Sequence, residues 1–273
     1  MLKKLALASC LFMAAACSTV PITGRRQLSL VSDAEMNSMA ATEYQKVLAT
    51  SKVISSGTQA AMVKRVGQRI QQAVETYFRQ QNQQAQLEGY AWEYNLLDDK
   101  QENAWCMPGG KVAVYSGILP ITQDETGLAV VLGHEIAHAV AKHSTERMSQ
   151  QMATQGIGNL ASAAVGQAPT ASQNVFLQVV GAGSQLGLLK YGRSQESEAD
   201  HLGLIFMAMA GYDPTKRWSS GSAWMLAKEV LHHRSFFPLT PPMARAWPPF
   251  SENCRRLAST ISVNSHRPIT FPA

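Results

Sequence analysis

Leu128-Ala129-Val130-Val131-Leu132-Gly133-His134-Glu135-Ile136-Ala137-His138-Ala139-Val140 is the stretch on which the reading of this chain turns. Its apolar residues enclose two histidines and a glutamate, which are costly to bury unless each is satisfied. Thr122, with Glu125 three residues on, has the pattern of a capping box, and the spacing predicts one long helix from Thr122 to about Met152. Residues four apart on a helix are separated by about 400°, so His134 and His138 leave one face, a turn apart. Two imidazoles so placed can grip one Zn2+ ion. Glu135 lies roughly 100° round the helix. There it can act as the catalytic acid/base, taking a proton from a water that the ion acidifies as that water attacks a peptide carbonyl.

A zinc hydrolase needs a third protein ligand and an open position. Glu196-Ser197-Glu198-Ala199-Asp200 is the other dense acidic cluster on an apolar helical pattern. Glu196 and Asp200 are four apart and share a face, so Glu196 is assigned as the third ligand. Asp200 is placed behind it, orienting a ligand histidine through the other ring nitrogen. An acidic helix start that suits the helix dipole accounts for Glu196 alone, and less well for Asp200 a turn deeper. Glu198 is read as a solvated charge, and His143, five residues after His138, as belonging to another face of the long helix.

Around these motifs the pattern is mostly helical. Helices are expected over 32–48, 58–86, 175–189 and 196–210, the last ended by Gly211-Tyr212-Asp213-Pro214. Tyr90 to Leu97 alternates and reads as a strand. Asn103 to Met107 and Lys111 to Tyr115 read as two more strands about the turn Pro108-Gly109-Gly110. The fold class is α+β, mostly α, with a small β-sheet.

With 273 residues, 45% hydrophobic and 16% charged, the chain is neither disordered nor collagen-like, and its four cysteines are too few for a disulfide scaffold. Met1-Leu2-Lys3-Lys4 and the apolar run Leu5–Ala16 have the form of a signal peptide, and no apolar run reaches the roughly 20 residues of a spanning helix. Small residues then precede Cys17, as in a bacterial lipobox, although Ala14 stands where Leu is usual. Cys10 has too short an apolar run before it to compete. The expectation is a lipoprotein signal peptide over 1–17, lipidation at Cys17, and an outer-membrane protein facing the periplasm. A soluble periplasmic product is the alternative. Cys106 and Cys254 are the remaining mature pair, and nothing in the sequence says whether they meet.

Three blocks together resemble peptidase family M48, whose members include HtpX and the CaaX prenyl protease. They are His134-Glu135-Ile136-Ala137-His138, Glu196 with Asp200, and Asn103-Ala104-Trp105-Cys106-Met107-Pro108-Gly109-Gly110. Pro21-Ile22-Thr23-Gly24-Arg25-Arg26-Gln27-Leu28 resembles the BepA-like lipoprotein branch of that family. The resemblance implies a zincin-type helical domain over 18–214, one zinc held by His134, His138 and Glu196, and endopeptidase activity on misfolded or stalled envelope proteins. It also suggests that Lys111–Ser116 is an exposed edge to which a substrate peptide adds as a strand; an ordinary hairpin strand is an equal reading.

Past Pro214 the chain departs from the family. Residues 1–212 balance 16 basic against 16 acidic side chains, whereas residues 213–273 hold 8 against 3, with 8 of the 12 prolines and 3 of the 5 tryptophans. The segment 215–273 is therefore read as an atypical tail, either the product of a shifted reading frame beginning near Thr215 or a divergent tail. Basicity confined to that tail gives little ground for a nucleic-acid partner. No oxyanion-stabilising residue is identifiable, and His201, His232, His233 and Arg245 qualify by chemistry only. A weakly active or inactive chaperone or assembly factor that keeps the metallopeptidase fold is the alternative function.

Overall fold

The computed structural model describes residues 17–20, 23–154, 168–180 and 191–214. Two short strands, β1 (Cys17–Thr19) and β2 (Arg26–Leu28), pair antiparallel as an N-terminal arm. Helix α1 (Asp33–Thr50) follows, its first turn capped by the Ser32 hydroxyl, which accepts from the Glu35 amide. Then come β3 (Val53–Ile54), α2 (Thr58–Gln80), β4 (Glu93–Leu97), β5 (Ala104–Met107) and β6 (Lys111–Tyr115). The short α3 (Leu119–Thr122), α4 (Glu125–Val140), α5 (His143–Thr154), α6 (Ala168–Val180) and α7 (Arg193–Met209) complete the described chain. The expectation of a mostly helical α+β fold holds.

The sheet runs β3-β4-β6-β5, with β4 and β6 parallel and the other neighbours antiparallel. Strand alternation sends side chains to both faces, and both faces are covered. Leu96, Ala104, Cys106, Val112 and Val114 pack with Val63, Val66 and Ile70 of α2, Leu128, Leu132 and Ile136 of α4, and Phe206 of α7. Leu97, Trp105, Met107, Ala113 and Tyr115 pack with Met36 and Tyr44 of α1, Met148 of α5, and Phe176 of α6. Burying a side chain of this size contributes roughly 1.5–3 kcal/mol. The sheet is thus a filled middle layer, with β5 against the metal-motif helix α4.

This topology corrects the expected substrate edge. Lys111–Tyr115 is β6, hydrogen-bonded to β4 on one side and β5 on the other, so Lys111–Ser116 is not free to take an added strand. Strand β5 occupies that end of the sheet, and its four residues are buried.

The predicted long helix also divides. Gln123 adopts φ 64°, which ends α3, and Asp124 rather than Thr122 caps α4, accepting from the Gly127 amide at 2.8 Å. Lys142 adopts φ 59° and separates α4 from α5. Its ammonium donates to Asp33 at 2.6 Å and Gln86 at 2.9 Å, which fixes the turn. The second expected helix stops at Gln80, and a 3₁₀ turn, Gln84–Leu87, follows. The helix expected over 175–189 begins earlier, at Ala168, and residues 181–190 lie outside the described residues. The expected signal peptide ahead of Cys17 and the tail from Thr215 also lie outside them.

Candidate metal centre

Helices α4 and α7 meet at two glycines. A Cβ on Gly133 would stand 2.8 Å from the Gly203 carbonyl oxygen, and one on Gly203 would stand 2.8 Å from the His134 amide nitrogen. Only glycine permits this approach of main chain to main chain. It brings the acidic first turns of α7 onto the histidine face of α4. The glycines stood in the sequence as isolated breaks in apolar helices, a pattern that often has a packing cause.

The three assigned ligands converge. His134 and His138 are buried with their Nε2 atoms 3.0 Å apart. Glu196 Oε2 lies 3.6 Å from His134 Nε2, and its Oε1 lies 3.8 Å from His138 Nε2. One donor atom from each residue falls within 4.8 Å of the others. Two imidazole nitrogens and a carboxylate oxygen at this spacing are a donor set that suits zinc. Asp200 Oδ1 stands 3.0 Å from His134 Nδ1, the position expected for a group that orients the ring.

The charges agree with that use. Burial pushes His138 well below the ordinary histidine range, and the neighbouring His134, His143 and Arg147 push the same way. It is a neutral imidazole, the form that ligates a metal. Burial works against charge on His134 too, but the Asp200 hydrogen bond and the nearby carboxylates hold it above the usual value. Burial raises the Glu135 carboxyl to about 7, with His134 opposing and Glu196 adding to the rise. A carboxyl poised there can both take and return a proton near neutrality.

Sequence reasoning missed much of the surrounding shell. On one continuous helix His143 would lie about 140° from His138. The break at Lys142 turns it back, so that its Nδ1 sits 2.8 Å from His138 Nδ1. Glu198 is not a solvated charge: its side chain is 5% exposed and meets His143 Nε2 at 3.0 Å and Arg25 Nε at 2.7 Å. Thr23 donates a short hydrogen bond to the same carboxylate. Burial alone would raise the Glu198 pKa, yet these hydrogen bonds hold it down to about 2. The Tyr191 ring stacks on His138 with centroids 4.0 Å apart and planes 21° apart, and its hydroxyl lies 3.0 Å from Ser144 Oγ. No spacing rule marks Tyr191, which precedes α7 in a stretch without periodicity.

Of the other candidates, His201 is half-buried on α7 beside Asp200, while His232, His233 and Arg245 lie outside the described residues. Cys106 is a buried free thiol in β5, and Cys254 also lies outside them. Among the described residues, no helix is long and apolar enough to cross a membrane.

Comparison with known proteins supplies the family. The family model described as peptidase family M48 matches residues 64–233, more than half of the chain, and continues past the boundary expected at Pro214. Over 123 residues the chain is 42% identical to the mitochondrial metalloendopeptidase OMA1 of Schizosaccharomyces pombe, a match covering 45% of this chain and 34% of that protein. Over 125 residues it is 35% identical to the putative beta-barrel assembly-enhancing protease of Vibrio cholerae, covering 43% of this chain and 25% of that protein. The beta-barrel assembly-enhancing protease of Escherichia coli K12 is 27% identical over 126 residues, covering 45% of this chain and 26% of that protein. The matches therefore span about a third of the first relative and a quarter of the others. With more than half of its length matched to the family model and the site residues brought together, the chain belongs to peptidase family M48.

Proposed function

We propose that this protein is a zinc-dependent metalloendopeptidase of the bacterial cell envelope that cleaves misfolded or stalled envelope proteins. The observation that carries the reading is the convergence of His134, His138 and Glu196 within 4.8 Å. Zinc bound there supplies a Lewis acid and lowers the pKa of its water towards about 7. His134 and His138 present Nε2 because their Nδ1 atoms are engaged by Asp200 and His143. Glu135 accepts the proton of the attacking water and returns it to the departing amine, so the carboxylate is regenerated in each cycle. Among the relatives, proteases named for beta-barrel assembly support an envelope substrate.

The test is cleavage of casein or another denatured protein by the purified chain, beside its Glu135→Gln variant. Cleavage that requires zinc and is lost in the variant, with the metal retained, supports the reading. Bound zinc without cleavage in the unaltered chain points to the chaperone or assembly factor instead.

The location is part of the same proposal. The lipobox-like run before Cys17 supports lipidation of that residue, which stands at the start of β1, and a lipid there would tether the arm at the periplasmic face of the outer membrane. Release from the membrane fraction in Cys17→Ser tests the anchor, and unchanged partition rejects it. For the chain from Thr215 onward the proposal is a shifted reading frame, supported by the change in proline and charge content; the family match, which runs on to residue 233, speaks for the divergent tail over 215–233. Translating the DNA in the other two frames tests it; the idea fails if neither gives a helical continuation containing His-Pro.

A further inference from the structure

The hydrogen bonds behind His138 run in one direction. With a cation on Nε2, as the zinc reading requires, the ring proton must sit on Nδ1, from which it donates to His143 Nδ1 at 2.8 Å. His143 must then carry its own proton on Nε2, which donates to Glu198 Oε2 at 3.0 Å. Glu198 also accepts from Thr23 Oγ1 and from Arg25 Nε. The Arg25 fork is held in turn. Its Nη1 donates to Glu146 Oε1 at 2.9 Å and its Nη2 to Gln27 Oε1 at 3.2 Å. Gln195 of α7 donates to the other Glu146 oxygen at 2.6 Å.

Every proton in this chain has one place to go, and the links are shielded from solvent. Side-chain exposure is 0% for His143, 5% for Glu198 and 24% for Arg25. Packing alone does not call for such an arrangement, because apolar residues of similar volume fill a buried site at least as well. The chain instead ends on the one ring nitrogen whose protonation decides whether His138 offers Nε2 to a cation. A carboxylate behind a ligand histidine fixes its tautomer and angle. His134 has that carboxylate directly, in Asp200, whereas His138 reaches Glu198 only through a second imidazole.

We propose that Arg25, on the N-terminal arm, is a positioning residue of the metal centre, holding His138 in its ligating tautomer and orientation through Glu198 and His143. The proposal rests on the zinc reading of His134, His138 and Glu196. It makes the arm, 173 positions from Glu198 in sequence, a working part of the site.

The test is a double-mutant cycle read as zinc affinity, by chelator competition on the full chain, with melting of the metal-free protein measured alongside. Arg25→Ala should weaken zinc about 10- to 100-fold, the range for an outer-shell partner. In a His143→Ala background the same change should shift affinity less than about 2-fold, because the linkage is already cut. Arg25→Lys should restore part of the loss. Glu198→Gln keeps the side chain's volume and should show the same dependence on His143, so the cycle can be closed even if Arg25→Ala fails to fold. An unchanged affinity in Arg25→Ala or Glu198→Gln, or an equal loss with and without His143, overturns the proposal while leaving the zinc reading intact. Failure of the unaltered chain to bind zinc overturns both.

Discussion

His134 and His138 stand one turn apart on α4, yet different parts of the chain hold them. His134 is held from α7, where Asp200 lies one turn beyond the proposed ligand Glu196. His138 is backed from α5, from the Glu198 side of α7 and from the N-terminal arm, through three successive polar groups, His143, Glu198 and Arg25. The first arrangement is local: a single helix supplies both the ligand and the group that orients its neighbour. The second needs a broken helix, a returning histidine and an arginine from the opposite end of the sequence. The contrast shows how one metal centre can join a short-range device to a long-range one, and it can be tested from either side.

Removing what the two sides share should have the largest effect. Glu196→Gln takes away the donor facing both rings and should strip most of the zinc and abolish cleavage; metal analysis showing full occupancy would refute its role as ligand. Cutting the sides separately comes next. Asp200→Asn and His143→Ala should each weaken zinc about 10- to 100-fold. Because they act on different rings, the two losses should multiply in the double variant, and a double variant no weaker than either single one would show that the sides are not separate.

Gly203→Ala strikes the seam that joins them. Its new methyl group would press on the His134 amide, and the strain should destabilise the metal-free protein by about 1–3 kcal/mol, seen as a lower melting temperature. An unchanged melting temperature would mean that the helices can part without loss.

The far end of α4 offers the smallest effect and a control. There Arg65 meets Glu125 at the surface, and that hydrogen bond keeps the Glu125 carboxyl below its ordinary range. A carboxyl depressed in the folded state contributes stability that is present above the ordinary glutamate value and fades as pH falls through the folded one. Solvent and salt screen an exposed pair, so Glu125→Gln should lower stability slightly at pH 7, less at pH 3, and leave zinc affinity unchanged. Urea unfolding at the two pH values checks the sign; a greater loss at pH 3 would contradict it.

Which parts were readable from sequence follows the same contrast. His134, His138, Glu196 and Asp200 obey helical spacing, so their faces could be computed before any contact was seen. The strand Lys111–Tyr115 is legible from the turn Pro108-Gly109-Gly110 ahead of it, but its neighbours are not: local sequence carries no pairing information, so an exposed edge and an ordinary hairpin strand stand as equal readings until the pairing with β4 and β5 decides. His143 and Glu198 were misplaced for a sharper reason. A single left-handed residue, Lys142, resets the helical phase, and lysine has no special preference for that conformation. The counter-charge of Glu198 comes from Arg25, and a separation of that length is invisible to any local rule.

The bare contact at Gly133 and Gly203 has one more implication. No side chain lies between the two helices at that point, so nothing there can change rotamer to widen or narrow the gap. The breadth of the cation seat is graduated by peptide thickness. In the proposed zinc site a larger ion would have to be met by swinging the Glu196 carboxylate, which is the most exposed of the three donors, so any discrimination among metals would fall to that one pliable arm.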